Sequence, residues 1–403
     1  MTNESHRFNS FAAQRQDCVV KWHICGHDYF YALSEMLDSA QEAIFIMDWW
    51  LSPELYLRRP PVDHEEWRLD RLLKRKAEQG VKIYVIVYKE VTQVLPMSSH
   101  HTKNALEELH ANIAVMRHPD HIGSDSSVTL WSHHEKVVVV DNKKACIGGL
   151  DACFGRWDTQ THPLADAHPT EFFNTLFPGQ DYNNCRVLDF KEVDNYLSNH
   201  ISTLETGRMP WQDVHMTLTG TVVLDIAQHF IERWNEVKQR KYKHDERFDW
   251  LALPHDLDVA PNEAVAMHPY REKWHSIGRR FKQHWHDGGH SLYHGCPTQG
   301  GCHVQVVRSV SDWSHGVLTE HSIQNAYIQL IREADHFIYI ENQFFISNTG
   351  RHGPVKNRIA EALLQRILTA AETETRFMVV VVIPEVPGME GTIQETGSIK
   401  TIM

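Results

Sequence analysis

The sequence lacks any apolar run approaching the ~20 residues that a membrane-spanning helix needs, so membrane contact is expected to be peripheral. It lacks paired cysteines as well. The seven cysteines, at 18, 25, 146, 153, 185, 296 and 302, are an odd number with no regular spacing, which argues against a disulfide framework and for free thiols in a reducing compartment. The opening Met1-Thr2-Asn3-Glu4-Ser5-His6 has none of the apolar core of a signal peptide. Together these absences predict a cytoplasmic protein with peripheral membrane association. An excess of positive charge is missing too. Forty basic residues stand against 52 acidic ones for a net charge of −12, which disfavours a general polyanion binder, so nucleic acid is not expected as a partner.

What is present is an ordinary globular composition, 42% hydrophobic and 23% charged over 403 residues, enough for one large core or two medium ones. The most informative stretch is Trp131-Ser132-His133-His134-Glu135-Lys136-Val137-Val138-Val139-Val140-Asp141, followed by Ile147-Gly148-Gly149-Leu150-Asp151. Four consecutive β-branched valines favour a buried strand, predicted over Glu135 to Val140. A turn at Asp141-Asn142-Lys143-Lys144 and a return strand from Ala145 to Gly148 complete a hairpin. Side chains alternate along a strand, so His134 and Lys136 share a face.

An imidazole beside an ammonium suits a phosphodiester. The histidine can attack phosphorus or pass a proton, and the lysine can neutralise charge building on the phosphoryl oxygens. Asp141 has the wrong parity for that face and is assigned a turn-fixing or supporting role. If a carboxylate orients His134, Asp151 on the return path is the better candidate. His101-Thr102-Lys103 with Glu108 repeats the spacing, but it runs into the helical stretch Asn104 to His110. Residues two apart on a helix do not share a face, so that copy is read as chance.

Elsewhere helices and strands alternate. Helices are predicted over Tyr29–Ala40, Trp67–Gln79 and Lys103–His110, with strands over Ala43–Trp50, Val81–Val87 and Ile113–Met116, which gives an α/β fold with a mixed, helix-covered sheet. The grammar returns near the end with helices over Ser322–Ala334 and Lys356–Ala371 and strands over His336–Gln343 and Phe377–Ile383, read as an internal duplication. By the spacing of the first copy, the histidine matching His134 would fall beyond Met403. The second copy is therefore expected to be incomplete.

Between the copies, Asp225–Val237 is an amphipathic helix with Ile226, Phe230, Ile231 and Trp234 facing the core. The basic run that follows offers Lys238, Arg240, Lys241 and Lys243 for contact with anionic lipid headgroups, against the plainer reading of a solvated surface. Cys296, Cys302 and His303 could ligate zinc, but their spacing matches no standard knuckle. The stretch reads as a Gly/Pro-rich linker, and neither a metal nor a cofactor is expected.

His134, Lys136 and Asp141 with the trailing Gly148-Gly149 resemble the HxKxxxxD signature of the phospholipase D superfamily. The wider wording through Gly149-Leu150-Asp151-Ala152-Cys153-Phe154-Gly155-Arg156-Trp157-Asp158 is similar to its eukaryotic, fungal-type members. So are Pro178–Asn184, Arg208–Val214, Val304–Ser314 and Ile338–Ile346. The resemblance runs from about Asn9 to Met403. It implies a bilobal α/β/α/β sandwich in which two such motifs meet, one histidine becoming a phosphohistidine and the other protonating the leaving alcohol. It also implies substrate-binding or supporting roles for Gly148, Gly149, Asp151, Glu341 and Gln343.

The organisation expected is a polar tail over 1–14, a first lobe over 15–254, a linker or loop-rich insertion over 255–302, and the start of a second lobe over 303–403. The activity implied is hydrolysis of phosphatidylcholine to phosphatidic acid and choline, with phospholipid at a membrane surface as the partner. Because only one motif is present, the 403-residue chain alone is expected to be inactive or nearly so and to expose apolar surface. Two alternatives stay open: a phosphodiesterase or nuclease of the same superfamily, and a non-catalytic half-enzyme that binds lipid or a partner.

Overall fold

The computed structural model describes residues 4–90, 97–120, 132–166, 170–171, 173–183, 193–198, 201–254, 301–350 and 355–385. The fold is mixed α/β, organised on one eight-stranded sheet. Its strands are β1 (Arg15–Ile24), β2 (Ala43–Asp48), β3 (Lys82–Tyr88), β4 (Ile113–His118), β5 (Val137–Val140), β6 (Lys144–Gly148), β7 (Val214–Thr219) and β8 (Cys302–Val304), in the order β4-β3-β2-β5-β6-β7-β1-β8. The pairs among β2, β3 and β4 are parallel, and every pair from β2–β5 across to β1–β8 is antiparallel. Helices α1 (Cys25–Asp38), α2 (Leu69–Glu78), α3 (Ser99–Glu107) and α4 (Val222–Lys241) accompany this sheet.

Strand alternation divides the interior into two cores. Ile44, Ile46, Ile83, Val85, Val138 and Val140 pack with Phe30, Leu33 and Leu37 of α1 and Leu72 and Leu73 of α2. Phe45, Met47, Tyr84, Ile86, Val137 and Val139 face the other way onto Ile226, Phe230 and Trp234 of α4. Phe45 stacks on Phe230 at 4.9 Å. Burial on both faces explains why β2 and β5 read as continuous apolar runs.

The expected helices and strands of this region are present, with ends moved by a few residues. Three strands of this sheet, β1, β7 and β8, had no counterpart among the expectations. β1 is more than half solvent-facing and carries no clean alternation, and β7 begins where a loop-rich stretch was read. The face of α4 opposite its apolar residues was expected to meet solvent, yet it too is buried, because its polar groups are paired. Asp225 binds Arg15 (2.6 Å), Glu232 binds Arg308 (2.7 Å) and Asn235 binds Leu251 through its carbonyl (2.8 Å).

Two boundaries also need correction. The stretch over 1–14 is no free tail, since Phe11 is buried beneath the Arg308 guanidinium (3.7 Å) and Ser10 donates to the Val306 carbonyl (2.5 Å). Cys302, assigned to the linker, pairs with Cys18 in β8 as an edge strand of the main sheet. Residues 255–300, including Cys296, lie outside those described. Among the described residues no group of three metal-ligating side chains is assembled, and no helix is long and apolar enough to cross a membrane.

Beyond β8 come β9 (Ser309–Val310), the short helix α5 (Asp312–His315), β10 (Glu320–His321), α6 (Ser322–Glu333), β11 (Phe337–Glu341), α7 (Ile359–Glu372) and β12 (Met378–Val382). β11 and β12 form a two-stranded parallel sheet around Ile331, Ile340, Ala362 and Leu363. The order α6-β11-α7-β12 repeats α1-β2-α2-β3, parallel pairing included.

Candidate active site

His134 and Lys136 lie in the segment that feeds β5. The strand itself begins at Val137 and not at Glu135, as the sequence had suggested. The alternation holds through the segment all the same. His133 and Glu135 turn toward α4, where His133 Nε2 donates to the His118 carbonyl (2.8 Å) and Glu135 pairs with Arg233 (3.0 Å from Nη2) and His229 (3.4 Å). Against the upward push of desolvation, Arg233 and His229 together hold the half-buried Glu135 carboxyl well below its usual range. This clamp is a consequence of sequence parity, and it fixes which way the two neighbours point.

His134 and Lys136 project to the opposite face. The His134 ring meets Trp49 edge-to-face at 4.9 Å, and the Lys136 ammonium lies over the same indole at 5.6 Å. Lys136 is buried and ion-paired with Asp151 at 2.8 Å. His134 is open to solvent on one side, while surrounding protein lowers its imidazole to about 4, first by desolvation and then through the Lys136 charge. It is therefore neutral at pH 7, with a lone pair free on one ring nitrogen.

Asp151 falls in the same cluster, but it makes no hydrogen bond to His134. Its Oδ1 takes Lys136 and the Trp50 N–H (3.1 Å), and Arg156 approaches its Oδ2 at 3.8 Å. Burial alone would raise the Asp151 carboxyl, but Lys136 and Arg156 outweigh it and hold the group low. The orienting role considered for Asp151 thus passes from the histidine to the lysine, because a buried ammonium 2.8 Å away is the stronger claimant on its charge.

Gly148 and Gly149 owe their identity to crowding. A Cβ on Gly148 would lie 2.5 Å from His215 Cα, and one on Gly149 would lie 2.1 Å from Asp213 Oδ1. His215 was not anticipated. It is fully buried in β7, stacked on Tyr29 at 3.7 Å, and its Nδ1 accepts the Leu150 N–H (3.4 Å). Desolvation, then His23 and Lys136, keep it neutral. Its register opposite Gly148 was the available signal, but β7 itself had gone unread.

Asp141 is at the far end of β5. Its carboxylate accepts the N–H groups of Gln41 (2.8 Å), Glu42 (2.8 Å) and Ala43 (2.9 Å), tying the start of β2 to the β5–β6 turn. That turn runs through Asp141 and Asn142 at φ 51° and 53°, a left-handed pair suited to a tight hairpin. Glu341 is exposed at the end of β11 and accepts the Tyr339 hydroxyl (2.8 Å). No described hydrogen bond, ion pair or ring contact joins Glu341 or Gln343 to the His134 cluster.

The loops around the cluster are pinned by buried ion pairs. Asp181 accepts the Gly155 N–H (2.6 Å) and pairs with Arg59, while Asp158 holds Arg208 (2.7 Å) and the Trp211 N–H (2.8 Å). The second copy of the spacing behaves as a helix surface, with His101 bound to Glu54 (2.7 Å) and Lys103 to Glu107 (2.6 Å). Of the basic run suggested for lipid contact, Lys238 is buried, while Arg240, Lys241 and Lys243 are exposed. Lys238 is buried on the carbonyls of Tyr242 (3.3 Å) and Asp245 (3.0 Å), Arg240 pairs with Asp312 (3.1 Å), and Lys241 with Asp120 (2.9 Å). Lys243 alone of the four is exposed without a described partner.

A solvent-open imidazole beside a buried ammonium, set where a parallel array of strands meets an antiparallel hairpin, is the cluster that this α/β fold assembles. The model of the phospholipase D family matches residues 36–400, and the chain belongs to that family. It is 37% identical to phospholipase D zeta 2 of Arabidopsis thaliana over 451 residues, covering 98% of this chain and 42% of that protein. It is 38% identical to phospholipase D1 of Schizosaccharomyces pombe (99% and 27%) and 39% identical to phospholipase D2 of Bos taurus (99% and 41%). The chain thus spans less than half the length of each of these relatives.

Proposed function

We propose that this chain carries the nucleophile of a phospholipase D, with His134 attacking the phosphorus of phosphatidylcholine. In that step the nitrogen–phosphorus bond forms, the phosphorus–oxygen bond to choline breaks, and the departing choline oxygen takes a proton from solvent, which the later attack of water on phosphorus gives back. Water then opens the phosphohistidine to give phosphatidic acid and free His134. Lys136 supplies positive charge to the phosphoryl oxygens, a role that needs an ammonium fixed in advance. Its ion pair with Asp151 and its bed on Trp49 supply that fixation. Contact with the bilayer is peripheral in this reading, with Arg240, Lys241 and Lys243 the exposed basic residues of the run.

The observation that carries the reading is the shared face of His134 and Lys136, enforced by the Glu135–Arg233 clamp on the opposite face. The assay is choline release from phosphatidylcholine vesicles, run beside a nuclease gel, for the wild type and His134→Asn. Choline release lost in the variant supports the proposal. Nucleic acid cleavage without choline release points to another diester, and neither activity points to a binding protein.

A further inference from the structure

Among the described residues every cysteine is a free thiol, and two of them stand directly opposite each other. Cys18 of β1 is the register partner of Cys302 in β8, the antiparallel strand at the edge of the main sheet. Cys18 is fully buried, and Cys302 is exposed. Residues opposed on antiparallel strands put their side chains on one face, with Cα atoms about 4.5–5.5 Å apart. That spacing falls inside the ~4.4–6.8 Å over which a disulfide closes.

The pairing depends on a break in the ladder. Arg15 pairs with Val304 and Cys18 with Cys302, so β1 spends one residue more than β8 between the two pairs. Asp17 absorbs that extra residue in the left-handed region, at φ 55°. A regular strand would set Arg15 and Cys18 on opposite faces. The bulge turns both toward α4, where Arg15 binds Asp225 and Cys18 packs in the core with Leu218 and Val222. Cys302 shares that face, because it lies two residues from Val304, which packs on the same core. Gly301 lets β8 come this close to the bulge, since a Cβ there would lie 2.5 Å from Asp17 Cα.

We propose that Cys18 and Cys302 are a redox pair that closes as a cross-strand disulfide when the chain meets a small-molecule disulfide such as oxidised glutathione. The exposed Cys302 thiolate attacks one sulfur of the oxidised glutathione, and one glutathione thiolate leaves. Cys18 then gives up its proton and attacks Cys302 Sγ, which forms the cross-strand bond and releases the second glutathione. Two protein thiols are oxidised to one disulfide, and one glutathione disulfide is reduced to two thiols. The cost to Cys18 is one weak hydrogen bond, donated by its Sγ to the Gln16 carbonyl at 3.5 Å.

The place of the pair gives the bond a consequence. At three residues β8 is the shortest strand of the sheet, and it pairs with β1 alone. It also leads into Arg308, which meets Glu232 of α4 and Glu320 of β10 at 2.7 Å each. A covalent tie at Cys302 therefore fastens the start of the second copy to the main sheet. Exposure of one partner keeps the bond open to reduction, as expected of a redox-sensing disulfide in a reducing compartment. The pair stands or falls independently of the phospholipase reading.

The test incubates the reduced chain with glutathione over a range of reduced-to-oxidised ratios. Remaining thiols are alkylated, and the peptides are mapped by mass spectrometry without reduction. The proposal expects a peptide pair joined through Cys18 and Cys302, lighter by two hydrogens than its reduced parts and lost on adding reductant. The oxidised wild type should also melt at a higher temperature than the reduced form, a shift that Cys302→Ser does not show. Cys18→Ser should stop with glutathione held on Cys302, because the resolving thiol is gone. Should that core substitution prevent folding, Cys302→Ser at its exposed position still carries the comparison. Glutathione retained on Cys302 of the wild type, Cys302 bonded to any cysteine other than Cys18, or both thiols free in the most oxidising buffer would each overturn the proposal. So would an unchanged melting temperature.

Discussion

β2 and β11 stand at the same place in two copies of one helix-strand-helix-strand unit, and each ends in a carboxylate. β2 lies between β3 and β5 with both faces covered, and Asp48 at its end is buried among Lys136, Asp151 and two backbone N–H groups. Among the described residues β11 pairs with β12 only; Phe337 and Tyr339 are 61% and 55% exposed, and Glu341 touches Tyr339. The unit alone therefore builds a framework and no chemistry. Chemistry enters with the β5–β6 hairpin, which brings His134 and Lys136 to the edge of β2 and returns Asp151 to meet them.

If that contrast is sound, substitutions in the two regions should differ by orders of magnitude. His134→Asn should abolish turnover, since an amide nitrogen is a poor nucleophile, whereas Glu341→Gln should leave kcat within a few-fold. Near-equal losses from the two would dissolve the comparison. Lys136→Ala comes next, at about 10²–10³ in kcat, the scale of losing one donor to a developing oxyanion. Steady-state kinetics should show that loss mainly in kcat, because the fixed charge matters most in the transition state.

Acid should act on the first region and spare the second. Glu135 is held low by Arg233 and His229, and burial keeps His133 down at about 3 and His118 and His315 well below their usual value. All are depressed in the folded state, so their contribution is present at neutral pH and lost as pH falls, beginning near the ordinary histidine value of about 6.5. Melting temperature should decline steadily from about pH 6 downward, and a flat profile to pH 4 would show that the clamp is not anchoring the segment. A smaller effect is expected from Asp141→Asn, about 1–2 kcal/mol of stability for three weakened hydrogen bonds, with activity per folded molecule retained. Phe337→Asp should change only dye binding and self-association, by removing apolar surface from an exposed sheet.

Much of this contrast was legible in the residues. The valine run, the turn and the parity of His134 and Lys136 follow from local rules, and the repeat showed itself in two apolar strands each ending in an acid. The role of Asp151 was less accessible, because the side chain beside it was named correctly but the partner it would choose depends on burial. Asp48, Arg233 and His215 lie far from the motif in sequence, and only the sheet order brings them to it. β1 and β7 escaped because their exposed residues break the alternation, and the paired polar groups of α4 hid its second buried face. Lys238 looked like surface for the same reason: a lysine's burial depends on which carbonyls come within its reach.

The central claim is that His134 is the nucleophile. It is tested most directly by quenching turnover of a phospholipid labelled in its phosphate and mapping the labelled peptide. The account predicts an acid-labile, base-stable adduct on the peptide that contains His134, absent from His134→Asn. Steady choline release with no protein-bound label, or label on a different residue, would contradict it.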